Sequence, residues 1–200
     1  MKRKLLMFLH ILRHGRTFAN ERKLYCGKTD LPISDGGKAE LISLTKNEGY
    51  PPPAERIFTS GMLRAEQTAD ILYGAAGRTA VPEIAEYNFG IFEMKSYDEL
   101  KDTDSYQAWI SDEIGEECCP EGESKKMFNE RVVRGYARIL DELLRTEEAG
   151  ASVICHGGTI VCIMEYLQPN EKNYYEWQPA SGRGYSLSYE AGRYAGYKPV

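Results

Sequence analysis

"LLMFLHILRHGRT", residues 5–17, decides the fold. Eight residues, apolar except for His10, run directly into Arg13, His14, Gly15 and Arg16. Continuous apolarity over that length suits a strand buried on both faces of a parallel sheet, and His10 within it reads as a core histidine with its hydrogen bonds met. A buried strand has no use for the two cations, imidazole and glycine that follow. A site that must hold an anion and attack it uses all four. The pattern recurs downstream: "ASVIC" (151–155) is a second apolar strand, and it too ends in histidine and glycine, His156-Gly157-Gly158, before the helical stretch "TIVCIMEYL" (159–167). In open α/β folds ligands bind outside the carboxyl ends of the strands, where helix N-termini favour phosphate. Two strand-end histidines with arginines beside them therefore predict a phosphoryl site.

The segments between fill in the architecture. In "LPISDGGKAELISLTKNEGYPPP" (31–53), Ser34 is a candidate N-cap, and Gly49 with the proline run is the stop. "RIFTS" (56–60) is a short strand, and Ser60 is positioned to cap a helix from about Met62 to Tyr73. "VPEIAEYNFG" (81–90) carries a third extended segment, followed by a polar helical excursion over 97–110. Ser124 opens the longest helix, with Phe128, Val132, Tyr136, Ile139 and Leu143 on one face. "GYSLSYE" and "RYAGYKPV" form a closing hairpin. Strands alternating with helices predict an α/β three-layer sandwich: a largely parallel central sheet flanked by helices. The expectation is one domain over 1–200, with a small cap excursion at about 94–123.

Composition narrows the partners. The net charge is −5, with no basic stripe, which argues against nucleic acid and acidic membrane surfaces. Five cysteines, odd in number and without a C-x-x-C pair, suit a reduced, cytoplasmic protein. "KRK" before the apolar run imitates a signal peptide, but no small-residue cleavage site follows, so secretion is not expected. Competing phosphate chemistries fail by counting. "CGKT" (26–29) lacks the glycine a Walker A loop needs, since that position is Arg22. A C-x5-R loop from Cys155 needs arginine at 161, which is Val161. The three histidines predict neither metal nor cofactor: His10 and His14 stand four apart, but on an extended strand, where that spacing separates them by about 13 Å. The remaining nucleophile is histidine itself.

Six ordered segments carry a family resemblance: "LRHGRT", "YCGKTDLPISDGGKAE" (25–40), "TSGMLRAEQTAD" (59–70), "AEYNFGIFE" (85–93), "EGESKKMFNERV" (121–132) and "VICHGGTI" (153–160). Together they resemble the histidine phosphatase superfamily, the phosphoglycerate-mutase-like proteins. The resemblance implies that His14 accepts the phosphoryl group, that Arg13, Arg64 and His156 surround it, and that Glu86 donates the proton. It also implies secondary phosphate contacts from Thr17, Asn20 and the Gly157 backbone. Arg16 and Gly27 are candidate substrate contacts; Arg16 stands where many relatives carry glutamate, and a solvent-facing position is the preferred reading for it. Glu93 is the alternative acid. The interval from Met94 to Cys119 is shorter than in the superfamily's mutases, which suits a phosphatase, and "LYCGKTDLPIS" with "PEGES" resembles the α-ribazole phosphatase type of cobalamin assembly. The implied function is hydrolysis of a small-molecule phosphate ester through phosphohistidine. Mutase-type transfer and a non-catalytic phospholigand-binding protein are the alternatives, and a homodimer is left open.

Overall fold

The computed structural model describes residues 6–146 and 148–200; the basic start of the chain, with its likeness to a leader, lies outside them. The apolar run is strand β1 (Leu6–Arg13), at the heart of a six-stranded sheet of order β3-β2-β4-β1-β5-β6. Strands β2 (Arg56–Thr59), β3 (Arg78–Ala80) and β4 (Gly150–Cys155) lie parallel to it. Strands β5 (Gly184–Glu190) and β6 (Arg193–Pro199) form the antiparallel hairpin on the other side.

Side chains alternate across β1, as the pleat requires. Met7, Leu9 and Ile11 join the larger core with α6 (Lys125–Thr146) and α7 (Gly157–Leu167). Leu12 faces the other way, to Leu41 of α2 (Asp35–Leu44) and to Ala65, Ala69 and Leu72 of α3 (Leu63–Tyr73). The result is the three-layer sandwich expected. The apolar stripe expected on α6 is buried, and α7 is buried from Gly157 through Met164, as a helix laid on the centre of a sheet must be. The remaining helices are short: α1 (Phe18–Glu21), α4 (Tyr97–Leu100), α5 (Asp104–Ser111) and α8 (Tyr174–Trp177). Among the described residues no helix is long and apolar enough to cross a membrane, and all five cysteines are unpaired.

Three local expectations are corrected. The third strand precedes "VPEIAEYNFG", at Arg78–Ala80, because Pro82 lacks an N–H and turns the chain into a 3₁₀ turn at Pro82–Ile84. Ser60 does not make the close cap of α3: Asp30 Oδ1 accepts from the Leu63 N–H at 2.8 Å, while Ser60 Oγ lies 3.4 Å from the Met62 nitrogen. His10 is buried, but its Nδ1 has no partner. Burial pushes its pKa down to about 4, with Lys198 adding to the shift and a bond to the Pro53 backbone opposing it.

Ser34 does cap α2, accepting from the Gly37 N–H at 3.0 Å. The two adjacent glycines there face different surroundings. A Cβ on exposed Gly36 would meet only the far end of the long Arg16 side chain at 3.3 Å, whereas one on buried Gly37 would lie 2.1 Å from the Arg16 carbonyl oxygen. Gly36→Ala is therefore expected to stabilise the fold by up to about 0.5–1 kcal/mol through helix propensity. Gly37→Ala should destabilise it despite the same gain. Urea midpoints of the two variants, moving in opposite directions, check this; two stabilised variants would refute the close contact.

Candidate active site

Parallel pairing aligns the carboxyl ends of three strands. Arg13 lies opposite Cys155 and Thr59 opposite Ile154, so the chain leaves β1, β4 and β2 at one edge. His14 and His156 emerge there side by side, ring centroids 5.1 Å apart, and the His14 N–H donates to the Cys155 carbonyl at 2.9 Å. Both rings are buried, at 4% and 0% exposure.

The partners of each ring define its tautomer. His14 Nδ1 is 2.7 Å from the Gly15 carbonyl, which can only accept, so Nδ1 carries the proton and Nε2 the lone pair. Gly15 is itself held by its N–H donating to Thr68 Oγ1 at 2.8 Å. In His156 the arrangement is reversed. Arg64 Nε–H donates to His156 Nδ1 at 3.2 Å, so Nε2 carries the proton and donates to Ser60 Oγ at 2.8 Å. Burial drives both imidazole pKa values well below 6.5; Arg64 adds to each shift, and Arg13 contributes further. His14 thus combines neutrality, a fixed ring and a lone pair among cations, which suits attack on an electrophilic anion. Neighbouring Cys155 is fully buried, and burial raises its pKa, so it stays a thiol.

The two arginines are held differently. Arg64 is 1% exposed, and its terminal nitrogens donate to the Thr29 carbonyl at 3.0 Å and the Gly27 carbonyl at 2.8 Å. Arg13 donates from Nη1 to the Pro179 carbonyl at 2.8 Å, and its buried Nε–H has no protein acceptor. An unmet buried donor costs about 1–3 kcal/mol, and a guanidinium donor suits a phosphoryl oxygen. A Cβ on Gly157 would lie 3.3 Å from the Arg13 guanidinium carbon and 3.0 Å from Gln178, so glycine lets the start of α7 approach this arginine.

Glu86 closes the cluster. Its carboxylate accepts from the Gly158 N–H at 3.0 Å, in the first turn of α7, and from the Tyr87 N–H at 2.9 Å. Arg131 supports the segment, donating to the carbonyls of Glu83 (2.8 Å), Ala85 (3.0 Å) and Glu86 (3.2 Å) while pairing with Glu123 at 2.6 Å. Glu93, the alternative acid, is otherwise engaged: its two oxygens accept from the backbone N–H groups of Gly27, Lys28, Thr29 and Phe89 at 2.9–3.2 Å.

The structure thus brings together His14, His156, Arg13, Arg64, Glu86 and Gly157. It gives Thr17 and Asn20 to one another, in the capping box of α1. Arg16 is drawn instead into ion pairs with Glu40 (2.7 Å) and Glu21 (3.8 Å) at the surface. Gly27 supports Arg64 through its carbonyl and has no room for a side chain, since a Cβ would fall 1.5 Å from the Tyr87 carbonyl oxygen. Sequence reasoning missed Ser60, Thr68, Arg131 and Tyr174. The first three lie inside the segments that carried the resemblance, which was the only signal for them. The Tyr174 hydroxyl shares the field of Glu86 and Arg13, although the residue as a whole is 44% exposed.

Comparison with known proteins supplies the context for this geometry. The pattern of the histidine phosphatase superfamily (branch 1) matches residues 9–195. The adenosylcobalamin/alpha-ribazole phosphatase of Salmonella typhimurium is 32% identical over 140 residues, 66% of this chain and 67% of that protein. A Yersinia pestis protein named "Probable phosphoglycerate mutase GpmB" is 29% identical over 172 residues, 81% of this chain and 75% of its own. The crystal structure of the alpha-ribazole phosphatase from Shigella flexneri shares the fold with a TM-score of 0.80 at 23% identity, over 94% of each chain.

The buried neutral rings have a measurable consequence. An unfolded chain protonates histidine near 6.5, whereas the folded protein leaves His14 and His156 neutral to much lower pH. The unfolded state therefore binds more protons below 6.5, so this contribution to stability is complete above 6.5 and is lost as pH falls through the acidic range. The urea midpoint should be lower at pH 5 than at pH 7.5. Nitrogen-15 NMR at pH 6 should show His14 protonated on Nδ1 and His156 on Nε2; two rings titrating near 6.5 would refute the site's electrostatics.

Proposed function

The chain belongs to the histidine phosphatase superfamily, and we propose that within it this protein is a phosphomonoesterase acting through a phosphohistidine on His14. The observation that carries this reading is the neutral His14 ring, its Nδ1–H bound to Gly15 and its Nε2 lone pair free to attack. In the first half-reaction Nε2 bonds to phosphorus, the ester P–O bond breaks, and the Glu86 carboxyl gives its proton to the departing oxygen. Arg13, with its unmet Nε–H, and Arg64 stabilise charge on the phosphoryl oxygens. In the second half-reaction water attacks phosphorus, the Glu86 carboxylate takes its proton, the P–N bond breaks, and inorganic phosphate leaves. Glu86 alternates between acid and base, and its place at the start of α7 near Arg13 puts it beside the site of both transfers.

The substrate we favour is α-ribazole 5′-phosphate, in the cytoplasm. Relatives bearing that phosphatase name support it, and so does the rim of the site. Tyr174, near Arg13 and Glu86, meets Tyr175 edge to face at 5.5 Å; the two, exposed at 44% and 82%, offer aromatic surface to a flat leaving group. The five unpaired cysteines support a reducing compartment. Mutase-type transfer has its support in the mutase relative, and the assay below distinguishes it.

α-Ribazole 5′-phosphate should be hydrolysed with a higher kcat/KM than 3-phosphoglycerate, with no migrated phosphate among the products. Preference for the phosphoglycerate would reject the substrate, and phosphoryl migration would establish the mutase instead. Glu86→Gln should lose about 10²–10⁴-fold on alkyl phosphates, whose alkoxides need a proton. On p-nitrophenyl phosphate the same variant should release a burst of nitrophenol and accumulate acid-labile phosphate on His14. Label on Cys155 would overturn the nucleophile, and equal losses on both esters would overturn the acid.

A further inference from the structure

Glu93 lies seven residues beyond the proposed acid yet contacts none of the reacting groups. Its surroundings are unusual for a carboxylate near an active site. Four backbone N–H groups converge on it, three of them consecutive, at Gly27 (3.1 Å to each oxygen), Lys28 (2.9 Å) and Thr29 (3.2 Å), with Phe89 (3.1 Å) on its own segment. Both oxygens of Glu93 are thus engaged as acceptors within the turn. The same turn directs its carbonyls the other way. Gly27 and Thr29 accept from Arg64, and Arg64 in turn donates to His156.

The turn's other anchors are the Cys26 thiol, 3.5 Å from the Thr29 carbonyl, and the adjoining Asp30, which accepts from the Leu63 N–H at 2.8 Å and lies 3.9 Å from Arg64 Nη1. Tyr25 bridges the same two segments, its N–H donating to the Lys95 carbonyl at 2.9 Å and its carbonyl accepting from the Met94 N–H at 2.7 Å. Beyond Tyr25 the backbone N–H groups of residues 27–29 all go to Glu93. A guanidinium has five N–H bonds. Three are used by His156, Gly27 and Thr29, which leaves one on each terminal nitrogen of Arg64.

We propose that Glu93 is a positioning residue: it fixes the Gly27–Thr29 turn so that the turn's carbonyls hold the Arg64 guanidinium with its two remaining N–H bonds directed at the phosphoryl group. This rests on the phosphatase reading for its kinetic consequences and on Arg64 alone for its binding consequences. Without the carboxylate the three N–H groups lose their common acceptor, the turn relaxes, and Arg64 loses its alignment. Displacement of a binding group by about 1 Å can cost up to about 10²-fold in rate. Because the effect passes through phosphate and not through the leaving group, it is blind to leaving-group basicity.

The test uses the full chain with Glu93→Gln, Glu93→Asp, Arg64→Gln and the Glu93→Gln/Arg64→Gln double variant. Inorganic phosphate binding is measured by calorimetry, and turnover with p-nitrophenyl phosphate and an alkyl phosphate. Glu93→Gln should weaken phosphate binding and lower kcat/KM about 10–100-fold, by the same factor on both esters. In the Arg64→Gln background the same change should cost less than about 2-fold, because the two act on one contact. Glu93→Asp, which keeps the charge, should recover part of the loss and covers the case in which the glutamine variant fails to fold. A larger loss on the alkyl ester would make Glu93 the acid. Full additivity with Arg64→Gln, or unchanged phosphate affinity, would reduce it to a structural residue. Either result overturns the proposal. A wild-type protein that binds phosphate but hydrolyses no ester would defeat the phosphatase reading while the coupling of Glu93 to Arg64 in phosphate binding still decides this one.

Discussion

Everything at the site depends on the parallel pairing of β1 with β4. The register sets Arg13 opposite Cys155, and one further bond, from the His14 N–H to the Cys155 carbonyl, carries the pairing past the end of the strand. Two imidazoles 142 positions apart in the chain are thereby held with ring centres 5.1 Å apart. A slip of one residue would turn every side chain of β1 to the opposite face, exchanging Leu12 for Ile11 between the two cores. The hydrophobic pattern of the strand thus specifies the active-site geometry. Burial of Met7, Leu9 and Ile11 on one side and Leu12 on the other leaves one register for the histidines.

That constraint gives the site its electrostatic character. Two guanidinium groups and two imidazoles meet where little solvent reaches, and four positive charges there would repel one another strongly. The rings yield, staying neutral, while the arginines keep their charge. Each neutral ring then needs a tautomer, and backbone and side-chain partners supply opposite ones: Gly15 for His14, Arg64 and Ser60 for His156. His14 and His156 are distinguished by hydrogen bonding, not by residue type.

The acids are sorted by the same logic. Glu86 and Glu93 sit on one short segment, and nothing in their identities separates a proton donor from a structural anion. Glu86 receives two backbone N–H bonds beside α7 and Arg13; Glu93 receives bonds from four N–H groups away from both histidines. Arg131, reaching from α6 to the carbonyls of Glu83, Ala85 and Glu86, holds the Glu86 end of this segment against α6. Long-range bonds of this kind tie the catalytic edge to a helix whose other face belongs to the core.

The sequence by itself determined the strands other than β3, the main helices and the strand-end group of Arg13, His14 and His156, whereas Arg64 and Glu86 were legible only through the family resemblance. Local pattern carries that information: an apolar run that stops at arginine, histidine and glycine is legible without knowledge of its neighbours, and the period of α6 declares its buried face. Tertiary structure decided which of the polar residues take part. Ser60 was expected to cap a helix and instead meets His156; Arg16 was a candidate for substrate and instead meets Glu40; Thr17 and Asn20 satisfy one another. His10, expected to be satisfied, keeps an unpartnered Nδ1. Each of these depends on a hydrogen-bond or ion-pair partner chosen in three dimensions, often from a segment dozens of residues away. Hydrophobic burial follows a periodicity written along the chain, whereas the partner of a polar group is set by the angle and distance at which folded elements meet.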